Sequence, residues 1–401
     1  MYDYNTVVDT ISHKSRFMKA CGREVMEALL PVLNHPEAGL RIAHIAGTNG
    51  KGSTAAFLSS IMTCAMPSEK IGLFTSPHLV DFAERIMVNG QPISHDDVAR
   101  IGSFLLELKL DGGIELTMFD YTLAMALIYF KEQGVNYAVI ETGLGGAKDS
   151  TSGLAITPVV SVITSIGLEH TAILGDTIVK IASEKAGIIK PGTKAVIGQM
   201  DADATGVFEN KCRELDVPLY IEDTPVDANM QLGLIGKYQR YNAAVAIRAA
   251  QLMEVGVGDD AIARGLKNAR WPGRMEMVST DPFMLLDGAH NPQGIKALCD
   301  SLKDAYPNEK FTFVVSILTD KDYKTMVEEL SGLAAEFFVA KLEYERGLDI
   351  PLLCVAIANT NSKVMPCFTI KEALDEAVKT GRKVIVCGSL YFIGAVKEIL
   401  Q

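Results

Sequence analysis

The chain has 401 residues, 48% of them apolar and 22% charged, with a formal net charge of −11. A single hydrophobic core stops growing at roughly 250–300 residues, so two domains of unequal size are expected, and the composition excludes a disordered chain. The acidic balance excludes broad nucleic-acid binding, which needs a basic surface against phosphates, while leaving room for an anionic small molecule in one locally positive cleft.

The N-terminus, MYDYNTVVDTISHKSRF, lacks the basic start and apolar run of a signal peptide, and no apolar run reaches the roughly 18 residues of a membrane span. A cytoplasmic protein without a membrane partner is the expectation. The seven cysteines (Cys21, Cys64, Cys212, Cys299, Cys354, Cys367, Cys387) are odd in number and scattered, with no CxxC pair, and read as reduced core thiols.

In chain order, the first apolar, β-branched run is Arg41–Ala46, followed by Gly47-Thr48-Asn49-Gly50-Lys51-Gly52-Ser53-Thr54 and a helical pattern over Thr54–Cys64. Small residues let backbone N–H groups approach phosphates closely, Lys51 adds a point charge, and the helix N-terminus adds its dipole. Thr48, Asn49, Gly50, Lys51, Gly52, Ser53 and Thr54 are therefore the candidate nucleotide contacts. The spacing is not GxxxxGK[ST], because position 45 is Ile and Gly52 separates Lys51 from Ser53. A Gly-rich turn capped by a hydroxyl is the plainer alternative.

A helical pattern over Thr122–Gln133 precedes the run Tyr137–Ile140, which leads into Glu141-Thr142-Gly143-Leu144-Gly145-Gly146. A carboxylate there, beside a triphosphate, suits Mg²⁺; a solvated loop residue is the alternative. The run Pro158–Ile163 is followed by Ser165–His170, and His170 alone reads as either a ligand or a hydrogen-bonded structural residue. After Lys194–Ile197 and the helical pattern Asn242–Met253, the stretch Lys267–Pro282, with Trp271-Pro272-Gly273 and Asp281-Pro282, marks a boundary. The expected domains are 1–270 and 283–401, joined by a linker over 271–282.

Beyond it come the runs Phe283–Leu286, Phe311–Val315, Phe337–Ala340 and Lys383–Val386, with helical patterns over Thr325–Leu330 and Ile370–Lys379. Continuous apolarity implies strands buried on both faces, and strand–helix alternation implies parallel α/β sheets. Polar residues recur just after the strands, where open α/β sheets bind ligands.

The loop GTNGKGST resembles the Mur-ligase form of a phosphate loop. The resemblance to the folylpolyglutamate synthase and dihydrofolate synthase branch continues in GLFTSPHL (72–79), ERIMVNGQPIS (84–94), ETGLGG (141–146) and SIGLEHTAILGDTIVKIASEKAGIIKPG (165–192). It extends through YQRYNAAVA (238–246), WPGRME (271–276), LDGAHNPQG (286–294) and CGSLYFIGAV (387–396). What the resemblance implies is an N-terminal P-loop-type parallel-sheet ATPase domain plus a smaller, Rossmann-like C-terminal α/β domain. It implies ATP and two Mg²⁺ sites, held by Ser53, Ser76, Glu141, His170 and a carbamoylated Lys185, and it allows a monovalent cation. By composition alone Lys185 is an ordinary surface lysine.

Asn242 and Arg274 match residues that touch ATP; Asp287 and His290 match residues reaching the nucleotide and the incoming amino acid. Lys51, His170, Lys185, Asp287 and His290 are the catalytic expectations, and Asp149, Thr151 and His290 the substrate contacts. The implied partners are folate, L-glutamate and ATP, on a monomer. The implied reaction is addition of glutamate to a folate through an acyl phosphate. Dihydropteroate is the second acceptor and another carboxylate the third. A P-loop regulatory NTPase and a small-molecule kinase are the alternatives outside ligation. Two stretches depart from the family pattern: 12–29, where a pterin-holding motif is usual, and Ala147-Lys148-Asp149-Ser150-Thr151-Ser152, which lacks the usual Arg.

Overall fold

The run Arg41–Ala46 forms a strand, β1, buried except at Arg41, as its continuous apolarity predicts. The computed structural model describes residues 1–14, 21–110 and 114–401. Residues 15–20 of the departing stretch 12–29 lie outside the described residues; most of its remainder belongs to the helix Gly22–Val32.

The other strands of the first sheet are β2 (Ile71–Phe74), β3 (Ile86–Val88), β4 (Gln91–Pro92), β5 (Tyr137–Glu141), β6 (Val160–Ile163), β7 (Lys194–Gly198) and β8 (Leu219–Glu222). Their order is β4-β3-β2-β5-β1-β6-β7-β8. β1 runs parallel between β5 and β6, and β2, β7 and β8 extend the parallel array. The sheet is parallel as expected, with an antiparallel hairpin of β3 and β4 added at one edge. Asn89 and Gly90, at φ +49° and +75°, make the tight turn in the left-handed φ region that a two-residue hairpin requires.

The second sheet contains β9 (Glu276–Thr280), β10 (Phe283–Asp287), β11 (Phe311–Val315), β12 (Ala334–Ala340), β13 (Lys363–Cys367) and β14 (Val384–Cys387). The order is β13-β12-β11-β14-β10-β9, parallel except for β9, which pairs antiparallel with β10. The segment 271–282, expected to be a linker, thus holds a strand of this sheet. Main-chain contacts divide the chain into two compact units, Met1–Gly233 with Arg240–Arg270, and Leu234–Gln239 with Trp271–Gln401. Each has its own apolar core, around Ile42, Phe74, Phe130 and Ile140 in the first and around Phe311, Phe313, Phe337 and Ile385 in the second.

Among the described residues no helix is long and apolar enough to cross a membrane. In the first sheet the chain leaves the central strand β1 between neighbours added on either side, so the loops after β1, β5 and β6 meet at one edge. Those loops carry the phosphate loop, Thr142–Gly146 and Ser165–His170, with Glu141 the last residue of β5.

Candidate active site

The phosphate loop is fixed by its neighbours rather than by itself. Gly47 has φ +153°, and a Cβ there would lie 2.0 Å from Thr164 Oγ1, so no side chain fits. The Thr48 hydroxyl donates to Gly167 O at 3.2 Å and accepts from Gly167 N–H at 3.0 Å. Asn49 N–H donates to Ser165 Oγ at 3.2 Å, and Thr164 Oγ1 donates to Asn49 O at 2.6 Å. Gly50, at φ +88°, starts the helix Lys51–Ala65. The helix begins three residues earlier than the apolar pattern suggested, which puts Lys51, Gly52, Ser53 and Thr54 in its first turn. A Cβ on Gly50 would sit 2.5 Å from Asn242 Oδ1, so Asn242 lies directly against the loop.

The Lys51 ammonium donates to Gly47 O at 3.2 Å and Thr48 O at 3.3 Å, and lies 3.9 Å from Glu141 Oε1. Glu141 is only 3% exposed and closes β5; its Oε2 accepts the Ser76 N–H at 3.4 Å.

Lys185, expected from composition to be a surface lysine, is 4% exposed. It lies in the last turn of the helix Ile178–Ala186, which is tied to the loop after β5 because Ala147 N–H donates to Glu184 O at 2.8 Å. Its ammonium donates to Gly47 O at 2.8 Å. Burial, with the nearby Lys51 charge, brings its pKa down to about 7. Lys51, Lys185 and His170 line one pocket with Thr48, Thr142, Gly143, Leu144 and Glu169. Composition had not singled out Thr142, Leu144 or Glu169; only their places beside Glu141 and His170 hinted at them.

Among the described residues no group of three His, Cys, Asp or Glu side chains gathers as a metal centre. The donors present are the hard oxygens that magnesium takes, namely the Glu141 carboxylate and the Ser53 and Ser76 hydroxyls, to be completed by phosphate and water. Ser53 is buried, and the buried hydroxyls of Thr54 and Thr142 have no partner among the described residues. The chemistry of this donor set suits magnesium. Lys185 as an ammonium is a donor and cannot ligate; only as a carbamate would it supply oxygens to a metal ion.

Asp149 and Thr151, expected to contact substrate, are buried and engaged internally. Asp149 accepts from the N–H groups of Gly143, Leu144 and Thr151 and from the Thr151 hydroxyl. Burial pushes its carboxyl above the usual range, against those four hydrogen bonds.

In the second unit, Asp287 ends β10. It accepts from Met275 N–H and Ala289 N–H at 2.8 Å each and from the Tyr238 hydroxyl at 3.1 Å, so it holds the turn that presents His290. Burial raises its pKa, and the Arg274 guanidinium opposes the shift. Arg274 packs on that turn, 2.4 Å from where a Gly288 Cβ would be. His290 Nδ1 lies 2.7 Å from Gly288 O, a carbonyl that can only accept, so Nδ1 carries a proton.

Residues 45–220 match the Mur ligase middle domain, and residues 273–390 the Mur ligase glutamate ligase domain. The chain is similar to the dihydrofolate synthase/folylpolyglutamate synthase of Bacillus subtilis (strain 168), at 35% identity over 409 residues that cover 94% of each chain. It is also similar to the structure of Mycobacterium tuberculosis folylpolyglutamate synthase complexed with ADP, with a TM-score of 0.90 and 28% identity over 99% of both chains. An Escherichia coli structure in complex with DHPP and ADP aligns with a TM-score of 0.88 and 27% identity, covering 99% of this chain and 97% of that one.

Proposed function

The chain belongs to the folylpolyglutamate synthase and dihydrofolate synthase family of Mur ligases, and we propose that it is an ATP-dependent ligase joining the amino group of L-glutamate to a folate carboxylate. The observation that carries this reading is the pocket after β1, β5 and β6, where Lys51 and the buried Lys185 line a loop suited to phosphates and the buried Glu141 stands 3.9 Å from Lys51.

In the proposed reaction a carboxylate oxygen of the acceptor attacks the γ-phosphorus while the β–γ bridging P–O bond breaks and ADP leaves. The amine nitrogen then attacks the acyl carbon, the C–O bond to phosphate breaks, and inorganic phosphate departs. No protein nucleophile takes part, so catalysis is positioning and charge neutralisation. Lys51, held over the loop by two carbonyls, faces the phosphates, and Thr48, Asn49, Gly50, Gly52, Ser53, Thr54 and Asn242 line the nucleotide. Arg274 adds a guanidinium whose fork matches phosphate oxygens.

Magnesium, when bound through Ser53, Ser76 and Glu141, supplies charge neutralisation at the phosphate oxygens, with His170 and a carbamoylated Lys185 serving a second ion. His290 receives the proton that the glutamate ammonium must lose. Asp287 keeps that histidine in place.

A second reading, dihydrofolate formation from dihydropteroate, is favoured by the double name of the Bacillus subtilis relative. ADP release measured with tetrahydrofolate, dihydropteroate or unrelated carboxylates, each with and without L-glutamate, separates the readings. The ligase releases ADP only when acceptor and glutamate are both present. Release with neither would instead indicate a nucleotide switch, and a stable phosphorylated acceptor a kinase.

A further inference from the structure

A buried polar chain that the proposed phosphate chemistry does not use runs from the centre of the first sheet to the pocket wall. His44, in the middle of β1, is 1% exposed, and its Nε2 lies 2.7 Å from Thr151 Oγ1. The Thr151 hydroxyl donates to Asp149 Oδ1 at 2.5 Å. Asp149 Oδ2 in turn accepts Gly143 N–H at 2.9 Å and Leu144 N–H at 2.8 Å.

A hydroxyl has one proton, and Asp149 takes it, so Thr151 can only accept from His44. The ring proton is therefore on Nε2. Nδ1, which has no partner among the described residues, is then a lone pair rather than a stranded N–H. The chain is polarised in one direction, from imidazole through hydroxyl to a carboxylate that grips two amides. Those amides belong to Gly143 and Leu144, which line the pocket with Lys51 and Lys185. A loop with glycine at 143, 145 and 146 does not hold its own shape.

Resting on the ligase reading, we propose that His44, Thr151 and Asp149 form a clamp that holds the pocket loop 142–145 in the shape nucleotide phosphates require, with His44 as a positioning residue remote from substrate.

Thr151→Val removes the hydroxyl at nearly constant shape, and Thr151→Ser keeps it. His44→Leu removes the N–H donor. Three readouts apply: the Kd for the ATP analogue AMPPCP by calorimetry, KM for ATP against KM for L-glutamate, and amide exchange of the peptide spanning 142–148 by mass spectrometry. Thr151→Val and His44→Leu are expected to raise the AMPPCP Kd and the KM for ATP roughly tenfold, leave the KM for glutamate within about twofold, and speed exchange. Thr151→Ser should behave as wild type, and the double variant should be no worse than Thr151→Val, because the residues act as one unit. If His44→Leu does not fold, the two Thr151 variants decide. A folded Thr151→Val with unchanged AMPPCP binding, or a Thr151→Ser equally impaired, overturns the clamp alone. A wild-type protein that binds no AMPPCP overturns the ligase reading, and the clamp with it.

Discussion

Lys185 and His44 are both buried bases whose pKa burial lowers, with different consequences: reactivity for the one, acid sensitivity for the other. With a pKa of about 7, Lys185 is substantially a neutral amine near neutrality, the form that attacks CO₂ to make a carbamate with loss of a proton. We predict that Lys185→Ala loses most ligase activity, that short carboxylates partly restore it, and that the intact mass of the native protein carries one added CO₂. No rescue, with an unmodified mass, would remove the carbamate from the mechanism.

His44 is instead held neutral at a pKa of about 3, against 6.5 in an unfolded chain, by burial and secondarily by the Lys190 charge. Below 6.5 the unfolded chain takes up a proton that the folded protein refuses. Stability therefore falls as pH drops from 6.5 towards 3, by up to about 1.4 kcal/mol per pH unit from this group. Urea midpoints at about pH 7.5 and about pH 5 should differ less in His44→Leu than in the wild type; equal differences would show that His44 does not carry the acid sensitivity.

Among the elements, the helix Lys51–Ala65 carries the phosphate loop and packs on the helix Asp259–Asn268. They meet at Gly265, where an added Cβ would lie 2.5 Å from Ile61 Cα, and Ser60 Oγ donates to Gly265 O at 2.7 Å. Backbone cannot yield as a side-chain tip can. Gly265→Ala should cost about 1–3 kcal/mol and lower the melting temperature by several degrees, at roughly 2–4 °C per kcal/mol. A melt indistinguishable from wild type would mean that the helices part without cost.

Element existence was largely readable because apolar runs and helical periods are local properties. Phe311–Val315 and Ile370–Lys379 have the bounds the pattern predicted. The start of the helix Lys51–Ala65 was not readable, because Gly50 opens it through a left-handed conformation that leaves no apolar signature. The β3–β4 hairpin was present as Asn89-Gly90 inside ERIMVNGQPIS, yet strands of three and two residues are too short for a periodicity to register.

Across the whole molecule, the phosphate loop and the groups read as serving the amine fall in different compact units, each with its own core, and Arg274 belongs to the second unit. If His290 serves only the amine, His290→Ala should lower kcat by roughly a hundredfold while leaving AMPPCP affinity unchanged by calorimetry. Weakened AMPPCP binding in that variant would contradict the division.

The sequence by itself determined the α/β class, the phosphate loop and the family, because these rest on contiguous residues whose chemistry is local: GTNGKGST after an apolar strand, ETGLGG, DGAHNP. Only the tertiary structure decided that Lys185 is interior, that Glu141 is a buried partner of Lys51, and that Asp149, Thr151 and Asp287 spend their hydrogen bonds inside the fold. Asp149 and His44 are more than 100 residues apart in the chain, and only packing β1 beside the loop after β5 brings them onto one hydroxyl. Burial and long-range hydrogen bonding are properties of that packing, and no local pattern encodes them.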